Sequence, residues 1–261
     1  MNWIEGLAKA GFAAKGFVYI AIGVLSTQVA LGSRGKIADS SSALRTIYGQ
    51  PFGRATLMLV GVGLLGYALW RLVEAITDPE RKGASPKRIA IRVSYVVRAI
   101  THGALGIEAL RLLSGTKVSG ADRTEHWTAR LMAAPLGTSL VMAVGAGILG
   151  FGAFQLYHAM TYRSASELRL SGLNPETARW VVPVSRFGIA ARGVVFGIIG
   201  YFLIRAGLQH DPSEASGMRE SFRTLLTQPR GHWLLGIVAI GFIAYGIYQF
   251  LQVRYRRITV A

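Results

Sequence analysis

Six apolar blocks of about 20 residues each divide this 261-residue chain: 16–32, 55–76, 93–113, 137–160, 188–208 and 232–253. At 1.5 Å rise per residue such a block spans a hydrocarbon core about 30 Å thick, so each predicts a transmembrane helix. The blocks are rich in Gly, Ala and Leu, do not alternate in polarity, and are about twice the length of a barrel strand, which argues against a β-barrel. Charged residues make up 16% of the chain, against about 25% in a soluble domain. The first block is long and no small-residue cleavage site follows it, so it is expected to be a retained span rather than a secretory signal.

The blocks are not independent. Gln50-Pro51-Phe52-Gly53, Ala134-Pro135-Leu136-Gly137 and Gln228-Pro229-Arg230-Gly231 each open a span, and downstream Gly63, Gly147 and Gly241 fall in register. So do Tyr67, Phe151 and Tyr245; Trp70, Phe154 and Tyr248; Arg71, Gln155 and Gln249; and Glu74, His158 and Gln252. The preceding spans repeat as well, with Gly11–Gly16 matching Gly188–Gly193 and Thr101-His102-Gly103 as the divergent middle copy. Internal repetition of this kind defines the fold. The expected architecture is all-α: a polytopic membrane protein whose six transmembrane helices form three parallel two-helix repeats, with short interfacial helices in the loops. The units are 1–80, 81–169 and 170–261, together one membrane domain. Asp39-Ser40-Ser41 and Asp211-Pro212-Ser213 carry helix-start signals, and 122–132 resembles them, so each inner loop is expected to hold a short amphipathic helix. Small residues must let the spans approach, because lipid gives apolar helices no other reason to associate.

The patterns AxxGFAAKGFVYIAIG and QPFGRATLMLVGVGLLGYALWRLVEAITDP resemble the bacterial membrane family known as domain of unknown function 1206, whose members carry three tandem two-helix copies. The resemblance covers essentially the whole chain and implies the same three-unit fold. It implies no activity.

The net charge is +16, with Lys and Arg between and beside the spans. The side holding both termini carries 14 of the 29 basic residues and the opposite side 10. The positive-inside rule places both termini in the cytoplasm, in a bacterial inner membrane. Arg81, Lys82, Lys87, Arg88 and Arg92 form the densest cluster; it reads either as a topology determinant or as a site for anionic lipid.

Ionisable groups within spans cost about 2.5–3.5 kcal/mol each on insertion scales and need a partner or a job. Lys15, His102 and Arg192 are expected at one depth, one per unit. The second spans add Arg71 and Glu74, Gln155 and His158, and Gln249 and Gln252, each set on one helix face. Together these nine could line a polar vestibule holding an anionic ligand. The plainer reading is that each unit ties its own helices together, as in a Lys15–Glu74 pair. Arg98 with Glu108 could form an ion path along the third span. Haem held by His102 and His158 is disfavoured, since paired ligands must lie at one depth.

The chain has no cysteine, which removes disulfides, thiolate metal sites, iron–sulfur clusters and cysteine nucleophiles. No GxSxG, HExxH or Walker motif occurs. No catalysis, metal or cofactor is expected, and nothing in the chain reads nucleic acid. The expected function is a non-enzymatic scaffold or accessory subunit contacting anionic lipid or a larger membrane complex. The alternative is a small channel or transporter for an anion or proton.

Overall fold

The computed structural model describes residues 3–33, 37–77, 86–115, 123–161 and 175–255. Long helices α1 (Trp3–Ala30), α3 (Gly53–Thr77), α4 (Pro86–Leu113), α6 (Gly137–Met160), α7 (Pro175–Gln209) and α9 (Gly231–Tyr255) alternate with short helices. The short ones are α2 (Ser40–Tyr48), α5 (Arg123–Met132) and α8 (Met218–Leu226), one per unit. No strand occurs among the described residues. Helices α1, α3, α6, α7 and α9 are long and apolar enough to cross a membrane. Helix α4 has the length, but Arg92, Arg98, Glu108 and Arg111 leave it less apolar than the others.

The turn into each second long helix is one structure used three times. Phe52, Leu136 and Arg230 all take left-handed backbone (φ 61°, 60° and 60°). The next residue is glycine in each case, its N–H donating to the carbonyl three residues back at 2.8 Å. A Cβ on Gly53, Gly137 or Gly231 would stand 2.1, 1.9 or 1.9 Å from a carbonyl oxygen at the end of the preceding short helix. No other residue fits there. Helix α2 starts as its sequence predicts: the Asp39 carboxylate accepts from Ser42 N–H and closes a capping box. Asp211 instead caps only a 3-10 turn, Pro212–Glu214, and α8 starts at Met218 with Gly217 as its N-cap. Leu44 and Phe222 are buried, which fixes α2 and α8 to the bundle.

Small residues decide which long helices pair. A Cβ on Gly16 or Gly23 of α1 would meet Phe250, Gly246 or Ile243 of α9. Gly152 and Gly193 bring α6 onto α7, and Gly61 and Gly106 bring α3 onto α4. The closest contacts therefore lie between units, each first helix running antiparallel to the second helix of the preceding unit and closing cyclically through α9. Within units, α1 packs on α3 and α7 on α9. Helices α4 and α6 of the middle unit form no comparable contact. The six long helices thus form a ring interrupted between α4 and α6.

Apolar side chains fill the middle of the bundle. Ile22, Leu105 and Ile199, from α1, α4 and α7, belong to one cluster with Leu64, Val195, Phe222 and Phe242. Tyr19 is part of it, whereas Phe17, two residues earlier on α1, is half-exposed and packs on Phe250.

Candidate functional site

Near the end of the bundle at which α1, α4 and α7 begin lies a chamber of about 140 Å³. All six long helices line it: Lys15 on α1, Tyr67 and Arg71 on α3, Arg98 and His102 on α4, Gln155 and His158 on α6, Arg192 on α7, and Tyr245, Gln249 and Gln252 on α9. Eight of the nine residues expected in a vestibule therefore meet here. Glu74 stands beside it, in an ion pair with Arg71 at 2.6 Å.

The threefold set of bases differs from the sequence expectation in one member. Ring pairs mark the register: Tyr19 meets Tyr245 at 4.7 Å, His102 meets Tyr67 at 5.0 Å and Phe196 meets Phe151 at 5.3 Å. His102 thus holds the place of Tyr19 and Phe196. Arg98, one turn earlier, holds the place of Lys15 and Arg192. The expected trio Lys15, His102 and Arg192 is corrected to Lys15, Arg98 and Arg192. A shift of four residues is close to one helical turn, so the helix face stayed right while the depth moved.

Tyrosines anchor two of these cations. Lys15 Nζ donates to Tyr67 Oη at 3.2 Å and lies 4.3 Å from that ring's centre. Arg71 Nε donates to the same oxygen at 3.0 Å. The expected Lys15–Glu74 pair does not form, because Arg71 occupies Glu74 and Tyr67 occupies Lys15. In the third unit Arg192 donates to Tyr245 Oη and sits over the Phe196 and Tyr245 rings at 4.9 and 4.8 Å. In the middle unit the tyrosine is Phe151, which has no hydroxyl. Arg98 makes no side-chain hydrogen bond or ion pair among the described residues.

Lys15, Arg71, Arg98 and Arg192 bring four basic side chains to one chamber, and no Asp or Glu is among its described lining residues. Three of the four have no carboxylate partner among the described residues, Arg71 being paired with Glu74. Polar atoms are also left over: both amide atoms of Gln249, Nε2 of Gln155 and Nε of Arg192 are buried without a hydrogen-bond partner. Buried polar atoms are satisfied in the great majority of cases; the three nitrogens call for acceptors, and Gln249 Oε1 calls for a donor. Arginine forks match phosphate or carboxylate oxygens. Both histidines proposed and disfavoured as haem ligands reach the chamber, but its volume is below the several hundred Å³ of small-molecule sites. Among the described residues no group of three or more His, Asp or Glu could hold a metal ion.

The remaining candidates lie elsewhere. Glu108 is buried ten residues from Arg98 along α4 and accepts from Ser41 Oγ of α2 at 3.0 Å. It fastens a short helix to the bundle at the opposite end. Arg92 donates to the Ala75 and Ile76 carbonyls, satisfying the end of α3, and Arg186 does the same for Ala159 and Met160 at the end of α6. Arg81 and Lys82 lie outside the described residues, as do the side chains of Lys87 and Arg88. At the far end, Asp39 of α2 pairs with Arg219 of α8 at 2.9 Å beside a second cavity of about 230 Å³, which Glu125 and Glu220 also line. Sequence reasoning missed the tyrosine anchors. The alternation of Tyr67 and Tyr245 with Phe151 is the signal that could have found them.

Three segments, 10–78, 93–162 and 187–256, each match the family described as Domain of Unknown Function (DUF1206). Those boundaries independently set Lys15, Arg98 and Arg192 five residues from the start of each copy. The chain is also 32% identical over 257 residues to the uncharacterized protein YxxB of Bacillus subtilis (strain 168), covering 98% of this chain and 93% of that one. No solved structure matches. A threefold copy across most of the chain, apolar helices and a full-length relative make this chain a member of the Domain of Unknown Function (DUF1206) family of membrane proteins.

Proposed function

We propose that the protein is a six-span bacterial inner-membrane protein, with both termini cytoplasmic, that binds one phosphate- or carboxylate-bearing group in its basic chamber and performs no catalysis. The observation that carries this reading is the convergence of Lys15, Arg71, Arg98 and Arg192 on about 140 Å³, with Gln249, Gln155 and Arg192 atoms unsatisfied. Grouped cations buried in a membrane repel one another and lose hydration, and a bound anion offsets both costs. Helix α4 crosses with Arg98 turned to that chamber, Glu108 to α2 and Arg92 to the end of α3, which accounts for its lower apolarity. Binding of an anionic group is the form in which the protein contacts lipid or a larger membrane assembly.

Native mass spectrometry of gently extracted protein tests this. The wild type retains one anionic species per chain, and Arg98→Gln and Arg192→Gln lose it. A bare chain that takes up neither added inorganic phosphate nor phosphatidylglycerol contradicts the reading. Transport of an anion or proton is the second reading. It is favoured by the second cavity at the opposite end of the bundle and requires the cluster around Ile22, Leu105 and Ile199 to part.

A further inference from the structure

The break in the ring borders the chamber, whose lining includes the exposed Phe154 of α6, and its chemistry differs from that of the two closed seams. In the first unit Gly63 takes the Ala14 side chain, its ideal Cβ position 2.9 Å from Ala14 Cβ. In the third, Gly241 takes Ala191 in the same way. The corresponding middle pair is Gly147 and Val97, and there is open space around Gly147 and around Gly150 one turn on. Ala14 and Ala191 are 2% and 5% exposed, and Val97 is 53% exposed. Exposed apolar residues flank the seam, Val93, Val96 and Ile100 on α4 and Leu140, Val144 and Phe154 on α6; Ser94 and Thr101 share the face of Val97, and Thr101 turns its hydroxyl back to the Val97 carbonyl. At the chamber end of this cleft stand Arg98, whose side chain makes no hydrogen bond or ion pair among the described residues, and Gln155, whose buried Nε2 has no partner.

We infer that the α4–α6 seam is a lateral doorway for an anionic phospholipid, whose phosphate is received by Arg98 and Gln155 while one acyl chain lies over Gly150 and Gly147. The direction fits. Helix α6 runs from Gly137 at the far end towards His158 at the chamber end, so a chain leaving the chamber passes Gly150, Gly147 and Val144 in order towards the bilayer centre. Two kinds of complementarity meet at one place: a cation for the head group and a glycine-floored apolar cleft for the tail. A free anion would need only the first. The inference rests on the anion-binding reading above and adds the identity of the ligand and its route.

The test uses delipidated full-length protein in a neutral detergent. It is titrated with phosphatidylglycerol, phosphatidylcholine or inorganic phosphate, and bound molecules are counted by native mass spectrometry. Gly150→Trp fills the cleft from a position where an added Cβ meets nothing within 4 Å, and Leu59→Trp puts the same side chain on an α3 position that is 75% exposed. One phosphatidylglycerol binds per chain, in preference to phosphatidylcholine. Arg98→Gln and Gly150→Trp each weaken it by about tenfold or more, the scale of one lost charge-assisted contact. Leu59→Trp leaves it unchanged. If inorganic phosphate binds, Arg98→Gln weakens it, and Gly150→Trp affects neither ligand, the doorway is overturned while the chamber stands. If neither probe binds the wild type, both readings fall.

Discussion

The first and third units close their own helix pairs, and the middle unit does not, although all three are built on one pattern. Two substitutions account for the difference. Where Ala14 and Ala191 seat on Gly63 and Gly241, the middle unit has Val97, whose extra methyls block the close approach that holds helices together in lipid. Where Tyr67 and Tyr245 accept from Lys15 and Arg192, it has Phe151. Packing and polar tie fail at the same seam. Helix α6 consequently has 22% of its spanning window buried, against 56% for α3 and α9. A repeat protein can therefore use one divergent copy to open its ring and leave one cation unspent.

The largest effect that would sharpen this contrast comes from adding one methyl to matched glycines. Gly241→Ala places its Cβ 2.2 Å from that of Ala191 and should destabilise the protein by about 1–3 kcal/mol as an overpacked contact. Gly147→Ala meets nothing and should stabilise α6 slightly, by up to about 1 kcal/mol of helix propensity. Unfolding of both variants by added denaturing detergent gives the comparison; equal losses would break it. Next is the tyrosine tie. Tyr245→Phe removes an acceptor from Arg192 and should cost about 1.5–3 kcal/mol, while Phe151→Tyr offers Arg98 one and should be neutral or stabilising in the same assay.

Smaller effects lie at the helix ends. Asp39→Ala removes the N-cap of α2 and the partner of Arg219, for about 1 kcal/mol, most of it from the cap because the ion pair is partly exposed. Amide exchange over α2 should report it. Arg186→Gln releases the last carbonyls of α6 and Arg92→Gln those of α3, each for about 0.5 kcal/mol. Of these two, the α6 variant should fray further, because fewer contacts hold that helix, and amide exchange at Ala159 and Ala75 compares them.

Much of this was legible in the sequence because repetition fixes several positions at once. The Gln/Ala-Pro-x-Gly turns, the Asp39 cap and the second-span stripes fell in place, whereas the helix start read at Asp211 is a 3-10 turn separate from α8. Matching Gly103 to Gly16 and Gly193 misread the middle copy by one turn, whereas Gly106 with Gly23 and Gly200, and Arg92 with Lys9 and Arg186, carry the true register. Helical periodicity could not expose the slip, since residues four apart share a face. The open seam was written in Val97 and Phe151, but each is an ordinary apolar residue alone. It acquires meaning only opposite Gly147 and Arg98, which requires knowing which helices face each other. Glu108 was legible as a costly buried charge; its partner Ser41, 67 residues away, was not.

The middle seam itself can be probed with a single spin label, because the chain has no native cysteine. Labels at Gly147→Cys and at the lipid-facing Leu59→Cys, in protein reconstituted into bilayers, are compared for mobility and for collision with dissolved oxygen. An open doorway gives the Gly147 label an oxygen accessibility close to that at Leu59. A Gly147 label that is immobilised and shielded from oxygen, as in a helix–helix contact, would mean that α4 and α6 close like the other two pairs, and that the middle unit differs in sequence alone.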